Sequence, residues 1–128
     1  MKKEIRIIAT KAAPSAIGPY SQATVVGDFV FTSGQIALNP ETGSIDAKGI
    51  IAQAEQIMKN LEAVLSAAGS SLSHAVKTTC YLADMADFSA FNEVYGRYFT
   101  GKPARSCVAV RELPKGALAE VEVVAVLA

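Results

Sequence analysis

Strand-like alternation marks both ends of this chain, and helical spacing marks two stretches between them. Ile5 and Ile7 alternate with Glu4 and Arg6, which predicts a short first strand. Residues 10–22 hold Pro14, Gly18 and Pro19 and read as a loop. Ala23–Val26 and Phe29–Thr32 are β-formers on either side of Gly27-Asp28, a pair that predicts a type II′ hairpin. Asn39-Pro40-Glu41-Thr42-Gly43 is a turn. Over 49–68, Ile50, Ala54, Ile57, Leu61, Val64, Leu65 and Ala68 recur at helical spacing, and Gly69 stands where a helix C′ glycine belongs. Residues 75–82 alternate again, Val76, Thr78, Cys80 and Leu82 against Lys77, Thr79 and Tyr81. Asp84 is placed to cap a second helix whose apolar stripe is Phe88, Phe91, Tyr95 and Tyr98. Ala104–Val110 is strand-like, Leu113-Pro114-Lys115-Gly116 turns, and Glu120–Leu127 is a last β run.

The predicted order is β, β-hairpin, α, β, α, β, β, an α+β chain with one sheet and two helices. Two helices cover one face of a sheet of five or six strands. Yet the last run is apolar on both sides, with Val121, Val123 and Ala125 on one face and Val124 and Val126 on the other. The uncovered face calls for a partner, and other copies of the same chain are the economical choice.

Composition sharpens this. At 128 residues one domain, 1–128, is expected, long enough to bury about two-thirds of its unfolded surface. Apolar residues make up 51% and charged residues 19%, with a mean hydropathy of +0.29, again more apolar surface than a small monomer comfortably exposes. The 12 basic and 12 acidic residues balance, against a general nucleic-acid or polybasic membrane binder. No apolar run nears the roughly 18 residues that span a bilayer. The start, Met1-Lys2-Lys3-Glu4-Ile5-Arg6, is basic but leads into no apolar h-region, so no signal peptide is expected and a cytoplasmic location is. Two cysteines and one histidine cannot supply the usual four ligands of a Cys/His zinc site.

Candidate chemistry gathers toward the C-terminal end. Arg105, Cys107 and Ala109 share a face of their strand, and Glu120 and Glu122 share a face of theirs. On two neighbouring strands they would join a guanidinium, a thiol and carboxylates. Residues 97–115 also hold Arg97, Lys102, Arg105, Arg111 and Lys115 against Glu112 alone, an excess of 5 − 1 = +4. Spacing leaves two readings open: a seat for a small anion, or a solvated face with a structural Arg–Glu pair. Cys80, among apolar partners, reads as an inert core thiol, whereas Cys107 reads as inert or modulatory, with thiolate character lent by Arg105 as the alternative. Tyr20 is either a packing anchor or a site wall, and His74 reads as a surface residue. Gly96-Arg97-Tyr98-Phe99-Thr100-Gly101-Lys102 mimics a phosphate loop, but Pro103 replaces its Ser/Thr and it follows a helix rather than a strand.

Several ordered stretches together carry more than any one of them. They are Ala16-Ile17-Gly18-Pro19-Tyr20-Ser21-Gln22, Phe31-Thr32-Ser33-Gly34-Gln35-Ile36, Val76-Lys77-Thr78-Thr79, Asp84-Met85-Ala86-Asp87-Phe88, Asn92-Glu93-Val94-Tyr95, Pro103-Ala104-Arg105-Ser106-Cys107-Val108, Leu113-Pro114-Lys115 and Glu120-Val121-Glu122. From about residue 5 to 128 the chain resembles the reactive-intermediate deaminase (Rid) family and its archetypal RidA branch.

The resemblance implies a chorismate-mutase-like fold in a homotrimer, with sheets lining a central barrel and clefts between subunits. It implies a metabolite-damage-control activity: hydrolysis of enamine and imine intermediates (2-aminoacrylate/2-iminopropanoate, 2-iminobutanoate) to 2-oxoacids and ammonia. No metal or organic cofactor is implied, and the partners are small 2-imino and 2-oxo acids. By position, Arg105 would grip the substrate carboxylate, since a guanidinium holds it bidentately. Glu120 would activate water. Tyr20, Ser33, Gly34, Asn92 and Cys107 would line the site, Gly34 and Cys107 through backbone N–H groups. Ala109 stands where many members carry an acid, a change bearing on cleft electrostatics. A non-enzymatic protein that binds small carboxylate metabolites in the same cleft is the alternative.

Overall fold

The long helix is the simplest place to see sequence become structure. In the computed structural model, which describes residues 3–128, helix α1 runs Gly49–Ala68. The basic start at Met1 and Lys2 lies outside the described residues. Ala54, Ile57, Met58, Leu61, Val64 and Leu65 are fully buried along one stripe of α1. The helix ends in a Schellman pair, Ser70 N–H donating to Leu65 O and Gly69 N–H to Ser66 O.

Strands β1 (Ile5–Ile8), β2 (Ala23–Val26), β3 (Phe29–Thr32), β4 (Ala75–Leu82), β5 (Ala104–Ala109) and β6 (Ala119–Val126) form one sheet in the order β1-β2-β3-β6-β4-β5. All pairings are antiparallel except β4 with β5. The β2–β3 hairpin turns at Gly27, which adopts φ +57° while Asp28 keeps a negative φ, as a type II′ turn requires. Helix α2 (Phe88–Tyr98) packs beside α1 on the same side of the sheet. Asp84 does cap, but not α2: its Oδ1 accepts from Ala86 N–H at 2.9 Å and starts a 3-10 turn, Met85–Asp87, before α2 begins.

The six-stranded sheet with two helices on one face is the α+β architecture expected. One expectation is corrected. β5 and β6 are not neighbours, because β4 lies between them and pairs with both. β6 is recruited into the middle of the sheet by its apolar residues, fully or nearly fully buried at Ala119, Val121, Val123 and Ala125. β5 is left at the edge.

The helix-free face is apolar as well as uncovered. Ile5, Ile7, Phe29, Phe31 and Val108 are all exposed there, Ile5 and Ile7 by about two-thirds (66% and 67%). Phe29 and Phe31 lie 6.4 Å apart between ring centroids. Among the described residues no helix is long and apolar enough to cross a membrane.

Leu61 is fully enclosed where α1 meets the sheet. Leu61→Ala should therefore lower the unfolding free energy by about 2–5 kcal/mol, the range for a poorly collapsing core cavity, read as a lower urea midpoint with unchanged slope.

Candidate active site

Registers across β4 decide which side each candidate residue faces. Arg105 lies opposite Thr78 and Cys107 opposite Cys80. Glu120 lies opposite Tyr81 and Glu122 opposite Thr79. Thr78 and Tyr81 are three residues apart on one strand and so point to opposite faces. Arg105 and Cys107 therefore face the helices, while Glu120 and Glu122 face the uncovered side. Within one chain the guanidinium and the carboxylate are separated by the sheet itself, contrary to the neighbouring-strand expectation.

The Arg105 side is a cleft of about 330 Å³ between α2 and the loop into β5, lined by Asn92, Tyr95, Phe99, Lys102, Pro103 and Arg105. Arg105 Nη1 donates to Asn92 Oδ1 at 2.7 Å. The guanidinium carbon lies 4.7 Å from the centroid of the Tyr95 ring and 5.5 Å from that of Phe88. Among the described residues Arg105 has no carboxylate partner, whereas Arg97 pairs with Glu55 at 3.0 Å on the surface. The structural-pair reading of the basic stretch thus holds for Arg97 and the anion-seat reading suits Arg105. Asn92 orients Arg105.

Cys107 is half-buried beside Cys80. Burial pushes the Cys107 thiol up, and Arg105 opposes that only in part. Burial carries the Cys80 thiol to about 12, an inert core thiol as expected. Val110 N–H bonds to Leu82 O, so the two-residue alternation of a parallel strand turns Cys107 N–H to the free edge.

The Glu120 side is a second cleft, about 400 Å³, whose walls include Ile17, Tyr20, Gly34, Pro114, Lys115 and Glu120. Tyr20 is a wall residue, more than half exposed (54%) on the 10–22 loop. That loop is held by buried Gln22, whose Nε2 donates to Thr10 O at 3.0 Å and Pro14 O at 2.7 Å, while its Oε1 accepts from Thr10 N–H at 2.7 Å. Gln22 belongs to the 16–22 stretch that carries the family resemblance, but a lone glutamine in a loop shows no anchoring role in sequence.

Gly34 is needed for close approach. A Cβ there would fall 2.8 Å from Glu120 Cδ and 3.0 Å from its Cγ. The bare backbone thus lets the Glu120 side chain lie against it. Among the described residues Gly34 N–H makes no hydrogen bond, between Ser33 N–H on Gln22 O and Gln35 N–H on Val121 O, each at 2.9 Å. Ser33 Oγ donates to Ser21 O at 2.6 Å and ties the end of β3 to the 10–22 loop. His74 is likewise held locally, Nδ1 sharing a 2.6 Å hydrogen bond with Ser71 Oγ.

Glu120 is the half-buried carboxylate of this cleft. Burial raises its carboxyl above the ordinary value of 4.5, and the nearby Glu122 charge adds to the rise. Glu122 is engaged by Tyr81, whose hydroxyl donates to Oε1 at 2.6 Å; that bond, with burial and the two carboxylates, raises the phenol to about 12. Tyr81 stays protonated and holds Glu122 while Glu120 is left free. Among the described residues no three His, Cys, Asp or Glu side chains converge as a metal site.

With the geometry in view, comparison with known proteins is decisive on kinship. The family described as Endoribonuclease L-PSP matches residues 10–127. The chain belongs to this family, the RutC/Rid family. A RutC family protein of Sinorhizobium fredii is 50% identical over 121 residues, covering 94% of this chain and 96% of that protein. The 2-iminobutanoate/2-iminopropanoate deaminase of Mus musculus is 46% identical over 122 residues, covering 94% of this chain and 90% of that protein. A crystal structure of Escherichia coli TdcF with bound serine superposes with a TM-score of 0.90 at 43% identity, covering 96% and 99% of the two chains. The chorismate-mutase-like L-PSP fold is shared with such members.

The raised Glu120 carboxyl has a consequence for stability. The folded chain holds this proton more tightly than the unfolded chain, so ionising Glu120 costs stability. That cost is absent at pH values well below 4.5 and grows as the pH rises through the folded-state value. Glu120→Gln should thus stabilise the protein at pH 7 and gain little at pH 4, measured as the shift in urea midpoint at each pH.

Proposed function

We propose that this Rid-family protein hydrolyses 2-imino acids, formed from short enamines, to 2-oxoacids and ammonia, without a cofactor. The observation that carries the reading is the pairing of a carboxylate-free, preoriented Arg105 with a half-buried, raised Glu120, each in its own cleft. Relatives named 2-iminobutanoate/2-iminopropanoate deaminase support it, as does the serine-bound relative, whose ligand carries a carboxylate beside an amine-bearing carbon.

In this reading Arg105 grips the substrate carboxylate and sets the imine carbon in place. Glu120 removes a proton from water as its oxygen adds to the carbon of the protonated imine. The resulting neutral carbinolamine has one new C–O bond and an NH2 group. The proton passes from Glu120 to that nitrogen, the C–N bond breaks to free ammonia, and the hydroxyl proton passes to Glu120 and on to solvent as the carbonyl of the 2-oxoacid forms. The imine is already electrophilic, so orientation and one activated water supply the needed acceleration.

The opposed faces of Arg105 and Glu120 bear on assembly. One chain cannot bring both to one substrate, but two copies can, one offering its α2-side cleft and the next its Glu120 cleft. We propose a homotrimer, sheets inward, that assembles clefts in this way and covers Ile5, Ile7, Phe29 and Phe31. A cytoplasmic location accompanies this reading, and nucleic acid is not proposed as a partner.

The test is a coupled assay in which a Thr or Ser dehydratase generates the imine and 2-oxoacid release is followed. Wild type should accelerate release. Arg105→Ala should lower kcat/KM by roughly 30- to several-thousand-fold, as expected for truncating one side of a desolvated charge pair worth about 2–5 kcal/mol. The acid limb of the kcat/KM profile should lie above pH 4.5 and disappear in Glu120→Gln. A folded protein that binds 2-oxobutanoate without accelerating release would instead be a metabolite-binding protein.

A further inference from the structure

Among the described residues Arg105 has no countercharge, and what holds it reaches deeper than its direct contacts. The ring of Tyr95 lies against the guanidinium, and its hydroxyl shares a 2.7 Å hydrogen bond with Thr78 Oγ1. Thr78 is fully buried and is the register partner of Arg105 on β4. The Tyr95 ring also stacks on Phe99 at 4.6 Å between centroids, and Phe91 lies 6.0 Å away on the same helix. One strand position thus fixes the ring on which the neighbouring strand's arginine rests.

We propose that Thr78 and Tyr95 are positioning residues for Arg105, with the buried Thr78–Tyr95 hydrogen bond setting the plane against which the guanidinium presents its free edge to a carboxylate ligand. Asn92 fixes the guanidinium through Nη1. The Tyr95 face fixes its tilt, because a cation over an aromatic face is held broadly in plane and distance but weakly in rotation. Together they leave the remaining N–H groups to engage a carboxylate bidentately. Rotation of the Tyr95 ring would spoil that fork without removing the charge. Thr78 is sealed from the ligand, and Tyr95, though it lines the cleft, spends its hydroxyl on Thr78 and offers the ligand no hydrogen bond in this scheme. The proposal rests on Arg105 being the carboxylate clamp, as the functional reading has it.

The experiment compares wild type, Arg105→Ala, Tyr95→Phe, Thr78→Val, Thr78→Ser and the double Thr78→Val/Tyr95→Phe. Each is titrated calorimetrically with 2-oxobutanoate and with its uncharged amide, alongside urea unfolding. Tyr95→Phe and Thr78→Val should each weaken 2-oxobutanoate by about tenfold, roughly the worth of one lost hydrogen bond in orientation. Amide binding should not change. The double variant should bind no worse than the weaker single, because both remove the same contact. It should also recover stability, since neither hydroxyl is then buried alone. Thr78→Ser keeps the hydroxyl and should bind as wild type. In the coupled assay the losses should fall mainly on KM.

Wild-type affinity in both single variants, with affinity lost in Arg105→Ala, overturns the positioning role and leaves the clamp standing. Equal losses for acid and amide also overturn it, because they mark general damage to the cleft. Undiminished binding by Arg105→Ala, or none by wild type, removes the clamp and the proposal with it. Should a single variant fail to fold, the double variant and Thr78→Ser decide the matter. Binding that follows the expected pattern without imine turnover refutes the deaminase reading and sustains the positioning role.

Discussion

Side-chain alternation along β4 governs where chemistry can reside in this chain. Thr78, Cys80 and Leu82 point into the core, and Thr79 and Tyr81 point away from it. Each partner strand inherits a side from its register with β4. Arg105 and Cys107 are thereby committed to the helix side, and Glu120 and Glu122 to the uncovered side. A one-residue slip of β5 against β4 would turn Arg105 and Cys107 to the uncovered side, and a slip of β6 would bury its carboxylates and expose Val121 and Val123. The apolar residues of β6 forbid that slip, so the same burial that stabilises the sheet also keeps acid and base apart.

Keeping them apart has a chemical use. An Arg and a Glu packed together in one chain would neutralise each other, and the carboxyl would fall below its ordinary value rather than rise. Here burial and Glu122 raise Glu120, while Tyr81 holds Glu122 in place. A carboxylate so placed is a better proton acceptor, and an arginine without a partner is a better carboxylate receptor. The cost is borne by folding, as a partly buried acid and an unpaired guanidinium.

Much of the architecture was legible in the chain because period and burial agree. The α1 stripe, the Gly69 terminus and the β2–β3 hairpin depend on local spacing and stand where spacing puts them, while the alternation of 75–82 holds from Thr78 to Leu82 but fails at Val76, which a register shift between Ala75 and Lys77 leaves exposed. The surplus apolar face was legible too, since two helices cannot cover both sides of such a sheet. Strand order was not. Both Ala104–Val110 and Glu120–Leu127 read as strands, but nothing in either says that β6 enters between β3 and β4 while β5 stays at the edge. Hence residues such as Arg105 and Glu120 were recognisable as reactive types, yet their relation across the sheet depends on pairing between strands far apart in sequence. The departure at Asp84 has a local cause: a short polar side chain bonds to nearby backbone, and sequence shows the capacity but not the partner.

The surroundings of Arg105 show how a cation can be ordered without being quenched. A surface ion pair such as Arg97–Glu55 orders two long side chains but satisfies both charges. Around Arg105 the same ordering comes from a neutral amide, Asn92, and from the faces of Tyr95 and Phe88. These contacts restrict the side chain yet leave its charge and part of its donor fork unspent. On the proposed reading, a carboxylate arriving at the cleft displaces no acid among the described residues and requires little reordering of the arginine, so its binding energy goes into placing the neighbouring carbon. The packing of α2 against β4 and β5 thus joins the core to the cation through the same aromatic side chains, most directly through Tyr95, and on the proposed reading it would orient a ligand as well as stabilise the fold.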